Sequence, residues 1–118
     1  MRNPIIRVEI IARKIDLINL IIAECSGEVS IAMADEAKTR PAILMHLIAI
    51  AEQVNKLKEE NSFEILEKFS KADLKGLNDL RNFIAHDYEG VDLDIVENAI
   101  RFGLPSLQKS ISKILSNS

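Results

Sequence analysis

LDIVENAIRFGLPSLQKSISKI, residues 93–114, is the stretch whose reading decides the fold. Its apolar positions Leu93, Val96, Ile100, Leu104, Leu107, Ile111 and Ile114 recur at intervals of three or four, the period of one face of an α-helix and not the alternation of a strand. Asp92 stands where an N-cap is wanted, and Gly90 supplies the turn before it. Gly103 and Pro105 fall inside the seam. Proline lacks an N–H and clashes with the preceding turn, so a kink is expected near Leu104.

The same period continues toward the N-terminus. Asn3-Pro4 opens a helix running to about Glu24, with Val8, Ile11, Ile15, Ile18 and Ile22 as its core stripe and Ile6, Ile10, Leu17 and Ile21 as a second stripe beside it. Ser26-Gly27 ends it, and a short helix and loop fill Glu28 to Lys38. Thr39-Arg40-Pro41 starts the next helix, with Thr39 as cap and Leu44, Leu47, Ile48, Ala51 and Val54 buried up to about Glu59. Asn61 and Glu64 form a capping-box pattern for a short helix holding Phe63, Leu66 and Phe69. Ser70 to Asp73 repeats that pattern and opens a helix with Leu74, Leu77, Leu80 and Ile84 on its core side. Four long helices, one or two short ones and no strand signal predict an all-α, antiparallel up-and-down four-helix bundle.

Composition agrees. A chain of 118 residues suits one domain, residues 1–118. Apolar residues make up 47% of it but aromatic ones only 4%, so the core must be aliphatic. The apolar runs are broken by charges well before the roughly 20 residues of a membrane span. A single cysteine, Cys25, cannot form an internal disulfide. With no signal-peptide pattern at the start, a cytoplasmic location is expected, with Cys25 as inert packing. The net charge of −3 argues against a general nucleic-acid binder. It leaves room for a local cationic pocket.

The chemistry is concentrated in Leu80-Arg81-Asn82-Phe83-Ile84-Ala85-His86-Asp87-Tyr88. Arginine is a permanent cation whose fork fits phosphate oxygens, and histidine can take and give a proton near neutrality. Together they can cleave RNA without a metal. On an ideal helix five residues advance about 500°, leaving Arg81 and His86 roughly 140° apart. They form one site only if the helix loosens near Ala85 or a second copy completes it. Asn82 and His86, four apart, are stacked, so the amide could hydrogen-bond the imidazole and fix its tautomer.

This string, with Glu89-Gly90-Val91-Asp92-Leu93 after it, resembles the HEPN superfamily, in particular its small HepT-like (DUF86) ribonuclease toxins. The resemblance implies a homodimer with Arg81 and His86 of both copies facing one cleft. There His86 would move protons at the ribose 2′-OH and the leaving oxygen, Arg81 would stabilise charge on phosphorus, and Asn82 would orient His86. No cofactor or metal is implied, and products would end in 2′,3′-cyclic phosphate. It also implies a nucleotidyltransferase antitoxin, of the HEPN/MNT toxin–antitoxin type, that adenylylates Tyr88. The chain departs from the common pattern at Asp79, where glycine is frequent, and at Glu89, where an aromatic residue is frequent.

Other polar residues have plainer readings. His46 lies mid-helix with no acidic or cysteine neighbour at i+3 or i+4 and reads as packing or interface. Asp92, Asp94 and Glu97 read as capping and solvated-face carboxylates, and Lys56, Lys58, Lys68, Lys71 and Lys75 as a solvated face. Three function classes follow. The first is a metal-independent endoribonuclease toxin, carried by the motif. The second is a non-catalytic helical module that docks a nucleotidyltransferase, favoured by the acidic surroundings of the motif. The third is a plain helical interaction protein, favoured by the doubled stripe on the first helix.

Overall fold

The computed structural model describes residues 3–117. Its elements are α1 (Pro4–Glu24), α2 (Val29–Ala34), α3 (Thr39–Glu59), α4 (Phe63–Leu66), α5 (Lys71–His86), α6 (Leu93–Asn98), a π-turn (Ala99–Gly103) and α7 (Leu104–Ser116). Among the described residues there is no strand, and the protein is all-α. No helix among them is long and apolar enough to cross a membrane.

Helix α1 begins where the Asn3 side chain accepts from Ile5 N–H at 2.9 Å, with Pro4 in the first turn. Its five-residue stripe from Val8 to Ile22 is buried, and its broadest packing is against α3. Of the second stripe, Ile6 is exposed and Ile10, Leu17 and Ile21 are half-buried. The helix stops where Ser26 and Gly27 turn left-handed, φ 60° and 73°, and Gly27 N–H closes onto Ile22 O. Cys25, just before, packs partly against the core.

Two capping expectations are corrected. Thr39 does not cap α3: its hydroxyl donates to Ala32 O, and Arg40 Nε donates to Met33 O at 2.6 Å, so the start of α3 satisfies the last carbonyls of α2. The amides ahead of α3 are taken instead by Asp35, whose carboxylate accepts from Ala37 and Lys38 N–H. Those bonds, Lys38 first, hold its carboxyl below the usual range. Nor do Asn61 and Glu64 form a capping box. Asn61 is the left-handed residue after α3, φ 57°, with Ser62 N–H bonded to Leu57 O, and the N-cap position of α4 is Ser62, whose side chain makes no cap bond. The sequence pattern was read one residue out of phase because asparagine suits either end of a helix. The caps at Ser70 and Asp92 stand as expected, accepting from Asp73 and Asp94 N–H.

The core is aliphatic. Phe69 is the one aromatic side chain among its described buried residues, and no polar or charged residue is buried with it. Each fully buried Leu or Ile there contributes about 1.5–3 kcal/mol of transfer free energy. Of the expected face, Leu44, Leu47, Ala51 and Val54 are buried and Ile48 is half-buried, and α3 also buries Ile43, Ile50 and Leu57, because it packs on α1 and α5 at once.

The kink expected near Leu104 takes the form of the π-turn, in which Leu104 N–H bonds to Ala99 O five residues back. Val96, Ile100 and Leu104 are spaced four and four. Eight residues over two turns exceed the about 7.2 of an ideal α-helix, so a regular helix would carry Leu104 off the seam. The extra residue keeps Val96, Ile100, Leu104, Leu107, Ile111 and Ile114 on one buried line. It also accommodates Pro105, which sits in the first turn of α7. Ser106 Oγ then donates to Asp73 Oδ2 at 2.6 Å, tying α7 to the start of α5.

Candidate functional site

Helix α5 is amphipathic: Leu77, Leu80 and Ile84 are buried, and its exposed residues are small or polar, Phe83 excepted. It stays α-helical through His86, with Asp87 as C-cap. Arg81 and His86 are therefore splayed apart as the unbroken helix requires.

Arg81 leans toward α3, where its Nε donates to Glu52 Oε1 at 3.1 Å. Its Nη1 reaches Asn82 Oδ1 at 3.4 Å, a long bond, and Nη2 has no partner among the described residues. Both members of the Arg81–Glu52 pair keep about two-fifths of their side-chain surface in solvent. The guanidinium is thus held by one edge and open on the other. Asn82 spends its carbonyl on Arg81, and no hydrogen bond joins it to His86 among the described residues. The expected amide–imidazole contact is not formed in this chain. Glu52 was not singled out in the sequence, since it lies 29 residues from Arg81 on another helix. Its signal was only a charged residue beside the buried positions Ala51 and Val54.

His86 is exposed on the opposite side and lines a cavity of about 320 Å³ between the end of α5 and the start of α6. Its walls are Leu80, Phe83, Val91 and Ile95, and Asp87, Gly90 and Asp92 complete it. The loop between the helices is shaped by Asp87, whose Oδ1 accepts from Gly90 N–H at 2.9 Å. A side chain at position 90 would place its Cβ 2.2 Å from Asp87 Oδ2, so the Asp87 carboxylate would have to turn away to admit one. Tyr88, on the same loop, is exposed.

The surroundings are apolar as well as acidic. Phe83, Ile95 and Phe102 are 54%, 41% and 70% exposed, although each is a large hydrophobe on a well-packed helix. Phe83 and Ile95 line the cavity, and Phe102 lies in the π-turn that follows α6. The carboxylates here have local duties: Asp92 caps α6, and Glu97 pairs with Arg101 at 3.1 Å. Among the described residues, no group of three or more His, Cys, Asp or Glu is placed to hold a metal ion. His46 lies half-buried on α3, where burial first and the charge of Lys14 second push its imidazole below the ordinary value. The five lysines read as a solvated face are all exposed.

Comparison with curated proteins and with solved structures finds no match. A family model described as Ribonuclease HepT-like matches residues 11–114, which takes in α2 to α6, most of α1 and α7, and the whole Arg81–Tyr88 segment. The chain belongs to the Ribonuclease HepT-like family.

Proposed function

We propose that the protein is a metal-independent endoribonuclease toxin of the HEPN/MNT type, acting as a homodimer whose paired Arg81 and His86 residues share one cleft. The observation that carries this reading is the unbroken course of α5 through His86, which splays the two functional groups, beside the exposed Phe83 and Ile95 that line the same cavity as His86. Exposed apolar clusters of this kind mark interaction sites. A two-fold partner packed at the edge of that face, with the cavity beside His86 left open to the cleft, would bring an arginine and a histidine from different copies to one phosphate, and the four long helical segments would form the antiparallel bundle of the family.

In such a cleft one His86 takes the proton of the ribose 2′-OH, and the 2′-oxygen attacks phosphorus. The bond from phosphorus to the 5′-oxygen breaks, and the imidazolium so formed protonates the leaving oxygen. The products are a 2′,3′-cyclic phosphate and a 5′-hydroxyl. The open edge of Arg81 supplies hydrogen bonds to the phosphoryl oxygens as their charge grows. Asn82 steadies Arg81 in the free chain, and a turn of its amide toward His86 belongs to the assembled cleft. Tyr88, exposed beside His86, is the acceptor for AMP from a nucleotidyltransferase antitoxin, and the added charge and bulk would exclude RNA.

The test mixes two inactive proteins. Arg81→Ala and His86→Ala should each lose cleavage, and their mixture should regain part of it, because a mixed dimer holds one intact arginine and one intact histidine in the shared cleft. Failure to complement, or a monomer by light scattering at micromolar concentration, would remove the shared-cleft mechanism. Co-expression with a cognate nucleotidyltransferase should add the mass of AMP to the peptide carrying Tyr88.

A second reading, a non-catalytic module that docks a nucleotidyltransferase, draws on the Glu52 contact, which already occupies one edge of Arg81. Cleavage by the wild-type protein that is lost in both variants would separate the two.

A further inference from the structure

We propose that the cavity beside His86 is a nucleobase subsite selective for guanine, so that the RNA is cut next to a guanosine. The inference rests on the ribonuclease reading for its biological meaning, but the subsite itself stands on the cavity.

Three features point to a base. The cavity, of about 320 Å³, falls within the ~300–1,000 Å³ typical of small-ligand sites. Leu80, Val91 and Ile95 offer it apolar surface suited to the faces of a flat ring. His86 lines the same cavity, so a base lodged there sets its own ribose and phosphate beside the imidazole. Single-stranded RNA is read in this manner, with an unstacked base held between side chains and its edge hydrogen-bonded.

The choice of base follows from the rim. Asp87 and Asp92 each use Oδ1 to accept a backbone N–H, from Gly90 and Asp94, both at 2.9 Å. Both residues line the cavity, and neither Oδ2 has a hydrogen-bond donor among the described residues. Ionised carboxylates are acceptors only. Guanine alone presents two neighbouring donors, N1–H and the 2-amino group, on its pairing edge. Adenine and cytosine place a ring acceptor beside their single amino group. Uracil flanks one N–H with two carbonyl oxygens, which would face the carboxylates directly. The acidity that weakens general RNA binding thus becomes discrimination at one position.

Two substitutions test it without removing local structure. Asp92→Asn keeps an N-capping oxygen for Asp94 N–H, and Asp87→Asn keeps the acceptor for Gly90 N–H, yet each can replace an acceptor with a donor. The readout is the methyl NMR signals of Leu80, Val91 and Ile95 in the full chain, titrated with guanosine 5′-monophosphate and with uridine 5′-monophosphate. Cleavage of single-stranded RNAs that differ only in guanosine content is measured alongside. The guanine nucleotide should shift those signals and bind about tenfold tighter than the uridine nucleotide, a ratio that collapses in either variant. Cleavage with no guanosine preference, together with silent methyl signals, would overturn the subsite and leave the ribonuclease reading intact. Guanine-selective shifts in a protein that cuts no RNA would support the subsite and overturn the ribonuclease reading. Methyl signals that respond to protein concentration and to neither nucleotide would assign the cavity to contact between copies and overturn the proposal.

Discussion

Two arginines reach across helices to a glutamate on or just after α3, and they differ in what is left over. Arg7 of α1 engages all three guanidinium nitrogens: Nε and Nη2 donate to the two carboxylate oxygens of Glu60 at 2.9 and 2.8 Å, and Nη1 donates to Gln53 at 3.0 Å. Glu60 chiefly raises its pKa above the ordinary value. Its side chain is 11% exposed, against 39% for Arg81, whose single good bond is the one from Nε to Glu52. A fully used fork fastens two helices, whereas a half-used fork is positioned and still available. Donor count per guanidinium separates a fastening residue from a candidate ligand-binding one, where residue type alone does not.

The strongest way to break this contrast is to change each arginine separately. Arg81→Lys keeps the charge but removes the planar fork, and should cost cleavage at least about a hundredfold while the melting temperature stays near that of the wild type. Arg7→Ala should do the reverse, lowering the melting temperature by several degrees by differential scanning calorimetry while the folded fraction keeps its kcat. If Arg7→Ala abolished cleavage without loss of stability, the division between the two pairs would be wrong.

A smaller effect is expected at Glu52. Glu52→Ala frees Arg81 to swing, and should reduce cleavage about tenfold through misplacement of the fork. An exposed pair of this kind contributes only about 0–1 kcal/mol to stability, so melting should hardly register the change. A rise in activity instead would mean that Glu52 competes with phosphate for Arg81.

The smallest effect sharpens the comparison from outside it. His46 has its pKa lowered in the fold, so as pH falls the unfolded chain binds a proton first. The stability linked to this group is fully present above the unfolded value of about 6.5 and is lost as pH drops through the lower folded value. Melting temperatures at pH 7.5 and 5 should fall slightly more for the wild type than for His46→Gln, with no matching change in cleavage at pH 7.5. An equal fall in both proteins would show that His46 is not a stability-linked group.

Much of this was legible in the chain. The stripe from Val8 to Ile22 and the seam from Val96 to Ile114 are buried as their spacing predicts, because helical period and burial are two views of one geometry. Ser70, Asp92 and Asn3 cap as expected, since each precedes a clear apolar period. Thr39 and Asn61 were misread because their side chains or backbones serve the preceding helix, and a local pattern cannot say which neighbour a polar group will face. At the site, the sequence marked Arg81, Asn82, His86 and Tyr88 but could not supply Glu52, which only tertiary packing brings to Arg81. The bond imagined between Asn82 and His86 came from helix spacing alone, and a nearer cation claims the amide.

The π-turn at Ala99–Gly103 has a consequence for comparing chains. A π-turn is an α-helix with one residue spliced in, so a relative could keep the same buried seam with a chain one residue shorter. Any alignment that treats residues 93–116 as one uniform helix would then slip by a position, and would match the exposed Phe102 to a residue facing elsewhere. The reading frame of this helix has to be reset at Leu104.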